Sequence, residues 1–300
     1  MNETNIRVNS IMAWILATRP KTLTGAAVPV MIALAMVYNQ CGCAIPFRWT
    51  AAVLCLLFAF IMQIDANFIN DYFDFLHGND DETRLGPLRA CAQGWVTMKA
   101  MRLAIVLITL IACGIGMPLI IYGGWQMMVV GSLCVVFCFL YTTKLSYLGL
   151  GDILVLLFFG VVPVCVTYYI QLHVVPMDVM MASVACGLVI DTLLVVNNYR
   201  DIDNDRKAGK QTLIVHLGSE WGRYLYLWLG IVACAIGAVH CFHAHLFAFV
   251  LPIIVYLFLH VKTYRSLCHI EKGKELNRVL GMTARNMFIY GLMVTIGLLI

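Results

Sequence analysis

Nine apolar runs, separated by short polar or glycine-rich turns, leave this 300-residue chain little to fold into except a helical bundle in a bilayer. A transmembrane helix takes roughly 17–25 consecutive apolar residues. The cores of the runs are 22–38, 50–70, 103–121, 125–141, 152–171, 178–198, 224–240, 246–262 and 283–300. None alternates with a period of two, so helices and not a barrel must satisfy the backbone. Charged residues make up 12% of the chain, against about 25% in soluble domains, which excludes an ordinary soluble enzyme. The expected fold is all-α and integral to a membrane: nine transmembrane helices around a central cavity, in one domain spanning 1–300.

Details at the ends of the runs refine this picture. Residues Ser10 to Ala17 read as an interfacial segment leading into the first span, and Pro20 suits a helix start. Arg19, Pro20 and Lys21 interrupt the first apolar region, so no cleaved signal is expected. Gly123-Gly124 marks a tight turn between spans three and four. The 12 cysteines lie mostly in apolar spans, where they act as small hydrophobes, and no CxxC pair or Cys/His spacing suggests a metal or redox centre.

The basic residues set the expected orientation. With the N-terminus in the cytoplasm, 19 of the 20 Lys and Arg fall at the inner face and only Arg48 falls outside. The net charge of +4 is then a topology signal and not a footprint for nucleic acid. The expectation is a multi-pass protein of the inner (plasma) membrane, its C-terminus outside and its cavity opening to the cytoplasm.

Two acidic clusters also fall at the inner ends of spans two and six. The first reads Asn67-Phe-Ile-Asn70-Asp71-Tyr-Phe-Asp74, followed by Asp80, Asp81 and Glu82; the second reads Asn197-Asn198-Tyr-Arg200-Asp201-Ile-Asp203-Asn-Asp205. Asn67, Asp71 and Asp74 stand at i, i+4 and i+7, and Asn197, Asp201 and Asp205 at i, i+4 and i+8, so each set shares a helical face. Two facing helices of this kind project carboxylates and amides into one cavity. Such oxygen ligands suit Mg²⁺, which binds through a few carboxylates and substrate phosphates. For the second cluster alone, interleaved Arg200, Arg206, Lys207 and Lys210 are equally consistent with a solvated helix end. The first has six acids from Asp65 to Glu82 and no Lys or Arg, and acids at a helix C-terminus oppose the dipole. Arg84 and Arg89 follow the first cluster, Lys210 follows the second, and Lys144 sits in the loop between spans four and five; all complement phosphate oxygens, though as individual residues they serve equally as positive-inside anchors. An ion path through a membrane transporter is the alternative of a different class.

These residues resemble the intramembrane polyprenyl transferases of the UbiA superfamily. The resemblance covers nearly the whole chain and rests on Ala17-Thr-Arg19-Pro20-Lys21-Thr22-Leu and both aspartate motifs. Arg84-Leu-Gly86-Pro87-x-Arg89-Ala, Tyr141-Thr-x-Lys144, Leu148-Gly-x-Gly151-Asp152 and the stretch from Asn197 to Leu213 are similar to the branch that acts on 1,4-dihydroxy-2-naphthoate in menaquinone synthesis. Asp65 and Asp191, deep within spans, depart from that pattern. The resemblance implies Mg²⁺-dependent transfer of a polyprenyl group from a polyprenyl diphosphate to 1,4-dihydroxy-2-naphthoate, releasing CO2 and diphosphate. 4-Hydroxybenzoate or another phenolic ring is the alternative acceptor. The metal would be held by Asn67, Asp71, Asp74, Asp80, Asn197, Asp201 and Asp205. Catalysis is expected of Asp71, Asp74, Asp201, Asp205, Lys210 and Tyr141. Arg19, Arg84, Arg89, Lys144, Asn67 and Asn197 would bind substrate. Tyr72, Tyr141 and Tyr147 are expected either to shield an allylic cation or to belong to an interfacial aromatic belt. Membrane lipid surrounds the whole.

Overall fold

The computed structural model describes residues 6–41, 46–78, 84–241 and 246–300, with the side chains of 239–241 and 246–249 left out. The first apolar region is two helices and not one. α1 (Ile11–Thr18) starts where the Ser10 hydroxyl accepts the Ala13 N–H at 3.3 Å, an N-cap that satisfies one orphan donor of the first turn. It ends at Arg19, whose φ of 49° is left-handed, and Pro20 opens a 3₁₀ turn (Pro20–Thr22) into α2 (Leu23–Cys41). The basic break thus sits between an interfacial helix and a spanning one.

α3 (Trp49–Leu76) has 28 residues, about 42 Å of helix. That exceeds a hydrocarbon core of about 30 Å, so one end of α3 must emerge from it. The acidic cluster occupies the C-terminal turns. α4 (Met98–Gly116) is capped by Thr97, α5 (Leu119–Gly123) is short, and Gly124 turns the chain with φ 78° into α6 (Gln126–Leu140). A π segment, Tyr141–Leu145, follows directly. The fifth span is α7 (Gly151–Val155), a second π segment (Leu156–Val161) and α8 (Val162–Leu172). α9 (Met177–Arg200) and α10 (Ile202–Lys207) carry the second acidic cluster. α11 (Leu213–Cys241) is broken at Gly218 (φ 82°), and α12 (Leu246–Ile270) and α13 (Leu276–Leu299) complete the chain. Among the described residues nine helical stretches are long and apolar enough to span a membrane. Spans seven, eight and nine run past their apolar cores, because a helix continues into its polar flanks wherever its backbone hydrogen bonds continue.

α9 is the hub. It packs on α2, α8, α11, α13 and the second π segment. The Gly160 and Gly187 backbones pass so closely that a Cβ on Gly160 would lie 2.6 Å from the Gly187 Cα. Membrane interfaces gain close packing from such small residues. Polar groups join the rest: Tyr226 to Thr283 at 3.0 Å, Asn286 to Thr263 at 2.8 Å, and the Thr109 hydroxyl donating to Asp65 at 2.7 Å. Arg48 closes the opposite end of the bundle from the acids. Its guanidinium donates to the Ile170 carbonyl at 3.0 Å, and its backbone exchanges two 3.0 Å bonds with Gln171.

Candidate active site at the acidic end of the bundle

A cavity of about 1800 Å³ runs down the bundle. α3 lines it along one face, from Cys55 through Ala59, Met62 and Ala66 to Asn70 and Asp74, about 28 Å of helix axis. The deep part is apolar, walled by residues such as Met128, Val135, Phe158 and Val166. The polar part collects Arg19, Asn67, Asp74, Arg84, Arg89, Tyr141, Asn197, Asp201, Asp205 and Lys210. The two clusters, more than 120 residues apart in sequence, therefore face one space.

Local folding explains how each group arrives there. Asn67 donates to the Thr18 carbonyl and the Thr22 hydroxyl, both at 2.9 Å, which fixes its amide to the α1–α2 break. Asp74 forms an ion pair with Arg89 at 2.6 Å and another with Lys210 at 3.5 Å. Arg89 also donates to the Asn70 carbonyl. Lys210 reaches the first cluster because α10 ends in a Schellman turn: Gly209 (φ 72°) bonds back to Arg206 and Lys210 to Asp205. Glycine adopts that left-handed position without a Cβ penalty. Lys210 Nζ then lies 5.3 Å from the centre of the Tyr147 ring. Asp201 is held bidentately by Arg200, Nε at 2.9 Å and Nη2 at 2.6 Å.

Among the described residues Asp205 forms no ion pair, unlike Asp74 and Asp201 beside it. Burial pushes its carboxyl up to about 7, with Asp201 and Asp74 adding to the rise while Lys210 and Arg200 oppose it. Its charged form is therefore short of a cation. Among the described residues no three His, Cys, Asp or Glu side chains converge into a finished metal cluster. The donors present are carboxylate and amide oxygens, a set that fits Mg²⁺ when phosphate oxygens supply the remaining positions.

Several expected residues lie elsewhere. Asp71 is fully buried and absent from the cavity wall. Its two oxygens accept the backbone N–H groups of Ala90 and Cys91 at 2.9 and 3.0 Å, anchoring the loop after α3. On a helix Asp71 sits about 50° from the Asn67–Asp74 row, enough to turn it towards that loop. Lys144 is exposed and off the wall: the wider turn of the π segment, with i→i+5 bonding, carries it away from the face of Tyr141. Asp80, Asp81 and Glu82 lie outside the described residues. Tyr72 and Tyr147 do not line the cavity either, and neither do Asp65 and Asp191. Conversely, Asn70, Asn198, Arg200, Asn204 and Asn277 line it without having been assigned. Asn70 was legible as part of the first motif and Asn198, Arg200 and Asn204 as part of the second, whereas Asn277 reaches the cavity through tertiary packing alone.

A sequence match to the UbiA prenyltransferase family spans residues 26–279. The chain belongs to that family. It is an all-helical, multi-pass membrane prenyltransferase. A 1,4-dihydroxy-2-naphthoate octaprenyltransferase of Escherichia coli K12 is 32% identical over 267 residues, 84% of this chain and 85% of that one. The fold is shared with a UbiA homolog from Aeropyrum pernix K1, at TM-score 0.71 and 13% identity over 91% of this chain and 97% of the other. A UbiA homolog from Archaeoglobus fulgidus bound to DMAPP and Mg²⁺ matches at TM-score 0.62 and 14% identity, covering 94% and 98%.

Proposed function

We propose that this prenyltransferase moves a polyprenyl group from polyprenyl diphosphate to 1,4-dihydroxy-2-naphthoate, releasing diphosphate and CO2 and giving demethylmenaquinol. One observation carries the reading: Asp74, Asp201, Asp205, Arg89 and Lys210 meet at the polar end of a cavity whose remaining length is apolar. That is the polarity pattern of a prenyl diphosphate, charged at one end and hydrocarbon beyond it. The solved relative with DMAPP and Mg²⁺ supports the donor and the metal, and the E. coli relative supports the acceptor.

Asp74, Asp201 and Asp205, with the amides of Asn67 and Asn197, are the groups that would hold Mg²⁺. When bound, Mg²⁺ supplies positive charge to the leaving diphosphate. Arg84, Arg89, Arg19 and Lys210 orient the diphosphate oxygens and take up charge as the allylic C–O bond breaks. Tyr141, on the cavity wall, offers its ring face to the allylic cation. The apolar wall excludes water, so the aromatic acceptor attacks the cation before hydrolysis does. Loss of the acceptor's carboxylate as CO2 then restores aromaticity. The chain acts as one transmembrane domain of the inner membrane. Its basic, acidic end and N-terminus face the cytoplasm and its C-terminus faces outward, by the positive-inside bias of its loops.

The test incubates purified protein with Mg²⁺, a polyprenyl diphosphate and either 1,4-dihydroxy-2-naphthoate or 4-hydroxybenzoate, then identifies products by mass. A prenylated naphthoquinol with equimolar CO2 is expected. Transfer only to 4-hydroxybenzoate would replace the acceptor, and no transfer to any aromatic ring would sink the proposal.

A further inference from the structure

The loop from Arg84 to Cys91 is fastened at both ends, and one fastening involves a residue outside both aspartate motifs. At its far end, Ala90 and Cys91 donate to Asp71, and Arg89 pairs with Asp74. At its near end, Asn277, in the first turn of α13, donates its Nδ2 to the Leu85 carbonyl at 2.7 Å. The Oδ1 of the same amide accepts Arg200 Nη1 at 2.8 Å. Arg200 is 4% exposed, and its other two nitrogens hold the two oxygens of Asp201. Gly86 lies against this guanidinium: a Cβ there would fall 2.8 Å from Arg200 Nη2 and 3.2 Å from Cζ. A guanidinium fixed at all three nitrogens cannot swing aside cheaply, so the glycine is needed for the close approach.

We propose that Asn277 is a positioning residue that couples docking of the 84–91 loop to the orientation of Asp201. A carboxamide carries its donor and its acceptor on two separate atoms, so one short side chain can hold both partners at once. Its donor finds the loop and its acceptor finds Arg200, so seating the loop sets the amide, the amide sets the guanidinium, and the guanidinium sets the carboxylate. The loop carries Arg84 and Arg89, so the same event brings phosphate-suited cations to the cavity. Through this loop the first cluster, at Asp71 and Asp74, and the second, at Asp201, are held as one unit. Groups that orient metal-binding carboxylates in this way typically change metal affinity about 10–100-fold when removed.

The inference rests on the diphosphate reading of the cavity, and two readouts separate the failure of one from that of the other. The first is binding of Mg²⁺ with inorganic diphosphate by calorimetry, in nanodiscs. The second is the rate of tryptic cleavage after Arg84 without metal. Asn277→Ala is expected to weaken Mg²⁺–diphosphate binding about tenfold or more and to speed cleavage after Arg84, while leaving affinity for the aromatic acceptor unchanged. Asn277→Asp keeps an acceptor for Arg200 but loses the donor to Leu85. It is expected to match the alanine variant in cleavage and to lose less binding. Gly86→Ala displaces the guanidinium without touching α13 and is expected to weaken binding as well, which covers the case of a misfolded Asn277 variant. Asn286→Ala, on the same helix but bonded to Thr263 and Leu259, is expected to lower thermal stability without changing diphosphate affinity. Wild-type affinity and wild-type cleavage in both Asn277→Ala and Gly86→Ala would overturn the coupling. If the wild type bound no Mg²⁺–diphosphate, the proposed function would fall, and unchanged metal-free cleavage in Asn277→Ala would still overturn the loop anchor by itself.

Discussion

The two acidic clusters look alike in sequence and differ in how their charges are met. On α3, Asp71 is satisfied by two backbone amides and Asp74 by Arg89 and Lys210. Across the cavity, Asp201 is matched by the adjacent Arg200, while Asp205 is half-buried with too little positive charge beside it. The first cluster therefore divides into a structural acid and a cavity acid. The second keeps Asp201 and Asp205 in the cavity, with Asp203 exposed outside it, and leaves Asp205 short of positive charge. A shared helical spacing does not give each carboxylate the same role; what each oxygen touches decides it.

The sharpest way to break that division is to neutralise the acids one at a time. Asp74→Asn and Asp201→Asn are each expected to lower the rate of prenyl transfer at least about a hundredfold, the usual cost of losing one preorganised electrostatic group. Asp71→Asn is expected to act through the loop. It exchanges a charged acceptor for an amide whose nitrogen cannot accept the second N–H, at a cost of about 2 kcal/mol, seen as a lower melting temperature. Activity would fall with that loss of loop anchoring and not with loss of metal binding. Equal loss of Mg²⁺ affinity in Asp71→Asn and Asp74→Asn, with stability unchanged, would erase the distinction.

A smaller effect separates the two lysines that sequence placed together. Lys210 borders the cavity and pairs with Asp74, whereas Lys144 is exposed away from the wall. Lys210→Met is expected to raise the KM for prenyl diphosphate about tenfold, since it removes a charge-assisted contact of about 1.5 kcal/mol. Lys144→Ala should leave both kinetic constants near wild type. A reversed pattern in steady-state kinetics would move the diphosphate towards the π segment.

The smallest expected effect is a pH dependence that belongs to the second cluster. Asp205 has its carboxyl raised from 3.8 to about 7 in the folded protein. Between those values the folded state binds more protons than the unfolded state, so this group lowers stability as pH rises from about 4 to about 7, and the full cost applies above 7. A cation beside the carboxylate removes that cost. Mg²⁺ with diphosphate is therefore expected to raise the melting temperature more at pH 8 than at pH 5.5. The difference should vanish in Asp205→Asn. A Mg²⁺ shift that is equal at both pH values would show that Asp205 does not answer to the metal.

Much of the fold was legible in the sequence because it follows from one-dimensional rules. Run length gave the spans, Ser10 and Pro20 marked the ends of the first helical segment, and motif spacing put Asn67, Asp74 and Asn197 on the cavity wall, although the helix carrying the second motif breaks at Asp201 and Asp205 stands on α10. Legibility ended where the answer depended on a partner distant in the chain. Asp71 was placed on the metal face because i+4 spacing is permissive to about 50°, and nothing local reveals that the amides of Ala90 and Cys91 lie opposite it. The π segment that turns Lys144 outward has no compositional signature. Asn277 stands 77 residues from Arg200 and 192 from Leu85, and no spacing rule connects them. Asp65, deep in its span, follows the same logic. Asp65 finds the Thr109 hydroxyl on α4, a helix contact that could be stated only once the bundle was assembled.

The most direct test is a structure of the protein with Mg²⁺ and a non-hydrolysable prenyl thiodiphosphate. The expected result places the diphosphate between Asp74 on one side and Asp201 and Asp205 on the other, with the prenyl chain along the apolar face of α3 and Asp71 still bonded to Ala90 and Cys91. A diphosphate bound away from either cluster, or Asp71 turned inward as a metal ligand, would contradict the division between the two clusters.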